Sequence, residues 1–171
     1  MLVFLIGMMG SGKSTFGRKL ASFLQYDFID LDAYIEERQQ ISISELFEKM
    51  GEDSFRKIEH QCLIELSNRK NTVVSTGGGA PCFFNNMELI NTAGISVYLK
   101  AESAFLASRL KSNKKERPLI AHINDDYLVE FLDEILHRRE KYYSQALISI
   151  DAKDIKPKAL VDLLNFEDEQ L

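Results

Sequence analysis

The chain has 171 residues, of which 45% are hydrophobic and 27% charged. This length fits one domain, and the apolar content, with 11 Phe and 6 Tyr, excludes a disordered chain. The formal net charge of −5 disfavours a general polyanion binder, so we expect no nucleic-acid partner. Residues 1–6 are apolar but too few to cross a bilayer, and we expect no membrane association. Cys62 and Cys82 form neither a disulfide framework nor a zinc motif, which indicates a reduced, cytoplasmic protein.

Short apolar runs alternate with stretches of helical period along the whole chain. The apolar runs predict β-strands over residues 2–6, 28–32, 72–76, 95–99 and 146–150. Helices are predicted over residues 14–24, 42–50, 54–69, 87–92, 103–111, 125–143 and 158–166. Ser42 and Glu45 form a capping box, and Gly51 is placed to end that helix. This alternation predicts an α/β fold, a mostly parallel five-stranded sheet covered by helices on both faces, in a single domain over residues 1–171.

A phosphate-binding loop is the most specific motif. Residues 7–14 read Gly-Met-Met-Gly-Ser-Gly-Lys-Ser and match the pattern G-x-x-x-x-G-K-[ST] in full, between a predicted strand and a predicted helix. The glycines let backbone N–H groups surround phosphate oxygens, and the helix N-terminus adds its dipole. Lys13 is placed to reach the β- and γ-phosphates, and Ser14 to ligate Mg²⁺. The pattern therefore predicts a nucleoside triphosphate site.

Two further motifs end predicted strands at the edge where ligands of parallel sheets bind. Asp30 and Asp32 are two residues apart, so strand geometry predicts that both carboxylates face this edge, where a magnesium nucleotide would offset their charge. The alternative is a pair of solvated aspartates that cap a helix over residues 33–39. The glycines at 77–79 let the backbone approach a ligand closely, although a plain tight turn is the alternative.

Cationic side chains lie where they can complete such a site. Arg56 and Glu59 are three residues apart on one predicted helix and can pair, which near an anionic substrate would hold the guanidinium in place. The basic, polar segment over residues 112–123 is either a solvated loop or a mobile lid. A lid would bring Arg117 to the triphosphate and neutralise the transferred group.

In this order and spacing, the motifs resemble the shikimate kinase family over nearly the whole chain. The resemblance rests on residues 7–14, 30–32, 51–59, 75–79 and 117–119, and on Arg138 four residues before Tyr142. It implies a nucleoside-monophosphate-kinase-like fold with sheet order 2-3-1-4-5. It also implies Mg²⁺-dependent transfer of the ATP γ-phosphoryl group to the 3-hydroxyl of shikimate, on the route to chorismate and aromatic amino acids.

The resemblance assigns a role to each site residue. Lys13, Asp32 and Arg117 would be catalytic, with Asp32 activating the hydroxyl, and Ser14 and Asp30 would serve the metal. ATP would be bound by Gly10, Ser11, Gly12, Lys13, Ser14, Thr15, Arg109, Arg117 and Lys153. Shikimate would be bound by Asp32, Arg56, Gly77, Gly78, Gly79 and Arg138, on substrate-binding helices over about residues 33–62. Arg139 is the alternative to Arg138.

Two other functions remain open at this point. Another small-molecule kinase, for gluconate or a nucleoside monophosphate, would share the phosphate loop and the arginines, although the triple glycine and the Asp30/Asp32 pair argue against it. A GTP-binding switch is disfavoured, because residues 113–116 place Glu where the guanine-reading pattern has Asp, and the sequence contains no Asp-x-x-Gly. We expect a cytoplasmic monomer whose partners are the small molecules ATP and shikimate.

Overall fold

The computed structural model describes residues 1–111, 119–153 and 155–168, without the side chains of 165–168. Strands and helices alternate along these ranges. In chain order they are β1 (Leu2–Ile6), α1 (Lys13–Leu24), β2 (Asp27–Asp30), α2 (Leu31–Gln39), α3 (Ile43–Leu66), β3 (Thr72–Ser75), α4 (Asn86–Ala93), β4 (Ile95–Lys100), α5 (Ser103–Leu110), α6 (Leu128–Tyr143), β5 (Ile148–Asp151) and α7 (Pro157–Asp168). Short 3₁₀ helices span Ala80–Cys82 and Asp125–Tyr127.

The strands form one parallel sheet in the order β2-β3-β1-β4-β5, which confirms the predicted fold. β1 lies at its centre, and Leu5 is paired with Ser75 of β3 and with Val97 of β4. All five residues of β1 are buried. A strand covered on both faces needs such an unbroken apolar run, since neither side of it meets water.

Helix α1 lies close to the sheet because Gly17 has no side chain. A Cβ at this position would lie 2.5 Å from Phe28 Cε2 and 3.0 Å from Leu5 Cδ1. Phe16 and Leu20 are buried on α1. This close packing fixes the N-terminus of α1, and with it the end of the phosphate loop, relative to β1.

The boundary between β2 and α2 differs from the prediction. β2 ends at Asp30, and Asp32 belongs to the first turn of α2. The Asp30 carboxylate caps this helix, accepting a hydrogen bond of 3.2 Å from the backbone N–H of Asp32. The prediction that both carboxylates lie on one side of a strand is therefore wrong, because the chain turns into a helix between them.

Helix α3 has the predicted start and the predicted interruption. Ser42 Oγ accepts from the backbone N–H of Glu45 at 3.2 Å, and Glu45 Oε2 accepts from the backbone N–H of Ser42 at 3.0 Å, which completes the capping box. Gly51 has φ 76° and ψ 168°, so α3 is two helices joined at a kink. Among the described residues, no helix has the length and apolar composition needed to cross a bilayer.

Candidate active site

The carboxyl ends of β1, β2 and β3 border a cavity of about 420 Å³. Ligands of parallel α/β sheets bind at this edge, where the loops after the strands converge. The predicted site residues that line it are Gly10, Gly12, Lys13, Ser14, Thr15, Asp30, Asp32, Gly77, Gly78 and Arg109. The structure therefore brings the phosphate loop, both aspartates and the glycine run around one space.

The phosphate loop folds around its own lysine. Gly7, Gly10 and Gly12 have φ angles of 136°, 81° and 94°, a backbone conformation that side chains disfavour. Lys13 Nζ donates to the carbonyl oxygens of Gly7 at 2.8 Å and Met8 at 2.9 Å. These bonds hold the lysine ammonium group at the cavity. Ser11 does not line the cavity, and its backbone N–H donates to the Met8 carbonyl.

Three oxygen-bearing side chains meet at the start of α1. Ser14 Oγ donates to Asp30 Oδ2 at 2.5 Å and lies 3.2 Å from Ser75 Oγ. Hydroxyl and carboxylate oxygens are ligands that suit Mg²⁺. Within the described ranges, no three His, Cys, Asp or Glu side chains cluster as a metal site. A magnesium ion held by Ser14 and Asp30 would complete its coordination with phosphate and water oxygens, as Mg²⁺ commonly does.

The guanidinium of Arg56 is held on several sides. Its Nη1 donates to Glu59 Oε2 at 2.7 Å, and its Nη2 donates to Glu52 Oε1 at 3.0 Å. The ring of Phe83 lies over the group, with its centroid 4.2 Å from Cζ. A Cβ on Gly79 would lie 2.6 Å from Nη2. The pair with Glu59 was predicted, whereas Glu52 and Phe83 were not recognised from sequence.

Gly77 lies against two carboxylates. A Cβ on this glycine would lie 2.8 Å from Asp32 Oδ1 and 3.0 Å from Glu59 Oε1. Glu59 is almost completely buried. Burial raises its pKa to about 7, and the neighbouring charge of Asp32 acts in the same direction, while Arg56 opposes both. The site thus contains one carboxyl group, Glu59, that binds a proton far more readily than an ordinary glutamate.

The structure places Arg139, not Arg138, at the site. Arg138 has a side chain that is 70% exposed, and it contacts Glu134 on the surface of α6. Arg139 Nη1 lies 3.7 Å from Met8 Sδ and 3.3 Å from the position of a Cβ on Gly78. The helix turns the Arg138 side chain away from the cavity, so the geometry favours Arg139, the alternative from the sequence, as the arginine of α6 at the site.

The remaining predicted residues lie around the α5 side of the site. Arg109 lines the cavity, with its Cζ 5.5 Å from the centroid of the Phe105 ring. Lys153 lies outside the lining and donates to Glu102 at 2.9 Å. Arg117 and residues 112–118 of the predicted lid lie outside the described residues. In the described part of that segment, Ile120 is buried in the core.

Glu59 gives the stability of the protein a defined pH dependence. Between the ordinary glutamate pKa of 4.5 and about 7, the folded protein keeps a proton that the unfolded chain releases. The contribution of Glu59 to the free energy of unfolding therefore falls as the pH rises through this window. We expect Glu59→Gln, which cannot titrate, to reduce the fall measured by urea unfolding between about pH 5 and pH 7.

The control for this measurement is Glu134→Gln on the exposed face of α6, where the side chain is 66% exposed. This variant should keep the wild-type dependence on pH. If the free energy of unfolding fell with pH as steeply in Glu59→Gln as in wild type, Glu59 would be ionised throughout this pH range.

Comparison with known sequences agrees with the geometry. The sequence model of the family described as shikimate kinase matches residues 9–165. A shikimate kinase from Phocaeicola vulgatus is 44% identical over 156 residues, which cover 91% of this chain and 89% of that protein. One from Bacteroides fragilis is 46% identical over 144 residues, which cover 84% of this chain and 80% of the relative.

Solved structures of shikimate kinases have the same fold. The enzyme from Bacteroides thetaiotaomicron superposes with a TM-score of 0.92 at 39% identity, over 96% of this chain and 98% of that one. The enzyme from Acinetobacter baumannii, solved in complex with shikimate, has a TM-score of 0.87 at 33% identity, over 99% and 93% of the two chains. With a family match across most of its length and relatives above 40% identity, the chain belongs to the shikimate kinase family.

Proposed function

We propose that this chain is a shikimate kinase that transfers the γ-phosphoryl group of ATP to the 3-hydroxyl of shikimate, with Mg²⁺ as cofactor. The observation that carries the proposal is one cavity bordered by a phosphate loop, two aspartates and a glycine run that contacts a buried arginine. Family membership supports this substrate over gluconate or a nucleoside monophosphate, and disfavours a GTP-binding switch.

ATP is proposed to bind along the phosphate loop. The N–H groups of Gly10, Gly12 and the first residues of α1 would contact phosphate oxygens, and Lys13 would turn its ammonium group to the β- and γ-phosphates. The base would extend towards Arg109, which borders the cavity on the α5 side. Lys153, joined to Glu102 near Phe105, would act at the rim of the base site.

Mg²⁺ is proposed to be held by Ser14, with Asp30 accepting a hydrogen bond from a ligand of the ion. When bound, the ion supplies charge that offsets the phosphate oxygens. The protein's contribution is the short contact between Ser14 and Asp30, which positions the hydroxyl oxygen without a dedicated cage of carboxylates.

Shikimate is proposed to lie between the two aspartates and the arginines Arg56 and Arg139. Its carboxylate would bind Arg56 and Arg139, and its hydroxyls would bind Asp32 and the backbone of Gly78 and Gly79. Burial raises the pKa of Glu59 to about 7, and a proton on Glu59 would leave Glu52 as the ionised partner of Arg56, so that the guanidinium could also bind an anion. The aromatic ring of Phe83 excludes water from one side and strengthens these charge interactions.

Asp32 is proposed to accept the proton of the 3-hydroxyl while the hydroxyl oxygen attacks the γ-phosphorus, the bond from this phosphorus to the β,γ-bridging oxygen breaks, and ADP leaves. The reaction then depends on in-line positioning and on neutralising charge at the phosphoryl group, which Lys13 supplies. Arg117, carried by the segment outside the described residues, is proposed to add a second positive charge. All these groups come from one chain, so we also propose a monomer as the active form. The free thiols of Cys62 and Cys82 support the proposal that it is cytoplasmic.

A panel of phosphoryl acceptors tests the proposed function. In a coupled assay of ADP release, the protein should turn over ATP with shikimate, should require Mg²⁺, and should show only background rates with gluconate or nucleoside monophosphates. Equal rates with one of those acceptors, or none with shikimate, would refute the proposal.

Asp32→Asn separates the base from the metal site. This variant keeps the size of the side chain but removes the proton acceptor, so kcat should fall by about 10²-fold or more with little change in the KM of ATP. Asp30→Asn should instead raise the Mg²⁺ concentration needed for half-maximal rate. Identical behaviour of the two variants would show that the division of roles is wrong.

The neighbouring arginines of α6 form a matched pair. Loss of a charged hydrogen bond to the substrate carboxylate should raise the shikimate KM of Arg139→Ala by roughly 10- to 100-fold, with the KM of ATP nearly unchanged. Arg138→Ala removes an equal charge from the exposed face and should leave both constants near wild type. A larger effect in Arg138→Ala would restore the sequence-based assignment.

A further inference from the structure

The hydroxyl of Tyr143 contacts the backbone of the glycine run that is proposed to bind shikimate. Tyr143 is the last residue of α6 and is fully buried. Its hydroxyl donates to the carbonyl oxygen of Gly78 at 2.5 Å, and its ring packs on that of Tyr98 with centroids 5.1 Å apart. No step of the mechanism above uses this side chain, although it touches the loop that is proposed to bind shikimate.

The same hydroxyl also contacts the phosphate loop. Met8 Sδ lies 3.6 Å from the Tyr143 oxygen and 3.7 Å from Arg139 Nη1. A hydroxyl has one proton, and the Gly78 carbonyl is both the closer and the stronger acceptor, so the sulfur packs against the oxygen as a weaker contact. Burial raises the pKa of Tyr143 above its usual value, so the hydroxyl keeps its proton as a donor at neutral pH.

A hydrogen bond to the Gly78 carbonyl also fixes the N–H group of Gly79. The two groups belong to one planar trans peptide unit and point in opposite directions. Holding the carbonyl oxygen therefore sets the direction of the N–H, and polarisation of the carbonyl makes that N–H a better donor. Glycines lack the side chains that would otherwise restrict this peptide, so an external contact is needed to hold it.

We propose that Tyr143 is a positioning residue for the acceptor substrate, whose hydroxyl orients the Gly78–Gly79 peptide so that the Gly79 N–H binds shikimate beside Arg56. Its contact with Met8 keeps this peptide at a fixed distance from the phosphate loop. The inference rests on the proposed function, since it concerns the binding of that substrate.

Tyr98 provides a matched control, because it is a second buried tyrosine from which a hydroxyl can be removed. Its ring packs against that of Tyr143, but its own hydroxyl donates to Glu140 Oε2 at 2.8 Å. Glu140 is partly exposed and can bind water when the tyrosine hydroxyl is removed. Tyr98→Phe therefore changes the same aromatic pair without removing a contact to the Gly78 carbonyl.

Steady-state kinetics of the two variants test the inference. Tyr143→Phe should raise the shikimate KM by about tenfold, because a buried carbonyl loses its donor and the Gly78–Gly79 peptide loses its orientation. The KM of ATP should stay within about twofold, and Tyr98→Phe should resemble wild type in both constants. A shikimate KM that rises no more in Tyr143→Phe than in Tyr98→Phe, or an equal rise in the KM of ATP, would overturn the inference.

A second measurement uses the wild-type protein and does not depend on the folding of a variant. With glycine labelled by ¹⁵N and ¹³C, the Gly79 amide and Gly78 carbonyl resonances should shift on titration with shikimate alone. Those of Gly94, which follows α4 and lies against Leu2 at the start of β1, should stay in place. Unchanged Gly78 and Gly79 resonances at saturating shikimate would overturn the inference. Absence of shikimate binding to wild type would instead refute the proposed function itself.

Discussion

The parallel pairing of β1 with β3 is the constraint on which the site depends. Because Leu5 is paired with Ser75, the two strands end level, and the phosphate loop and the glycine run leave the sheet side by side. The bond from the Thr76 backbone N–H to the Leu5 carbonyl extends this pairing by one residue beyond the strand. The phosphate loop, proposed to bind the phosphoryl donor, and the glycine run, proposed to bind the phosphoryl acceptor, are thereby joined by backbone hydrogen bonds. These bonds allow less movement than side-chain contacts do.

The charges of the side chains around the cavity then determine which ligands it can bind. Around the glycine run, which is proposed to bind the phosphoryl acceptor, three carboxylates lie close to Arg56: those of Asp32, Glu52 and Glu59. If all three were ionised, this group of side chains would repel an anionic substrate. Burial that favours a proton on Glu59 reduces this negative charge without removing the hydrogen-bonding group that orients Arg56. The same burial reduces screening by water, so the arginine attracts a carboxylate more strongly than an exposed one would.

The sequence allowed the fold and the phosphate loop to be predicted because both depend on local patterns. A five-residue apolar run, a glycine-rich loop and a capping box each determine their structure within a few residues. Asp32 lines the cavity as predicted, but it was assigned to the strand because strand geometry was extended past Asp30, the residue that caps α2. The sequence did not separate Arg138 from Arg139, because each arginine lies four residues before a tyrosine. The buried face of α6, with Leu128, Leu132, Ile135 and Tyr143, selects Arg139.

Phe83 and Tyr143 were missed for a different reason. Their roles arise only where distant segments meet, with Phe83 over Arg56 and Tyr143 under Gly78, and no local pattern distinguishes them from ordinary core residues. Both act on backbone or charged groups that the sequence did identify. A glycine run gives close approach to a ligand but no fixed orientation. Aromatic side chains packed against the site supply that orientation at little cost in conformational entropy because they have few rotatable bonds. The motif residues thus specify what is bound, and the surrounding core specifies where.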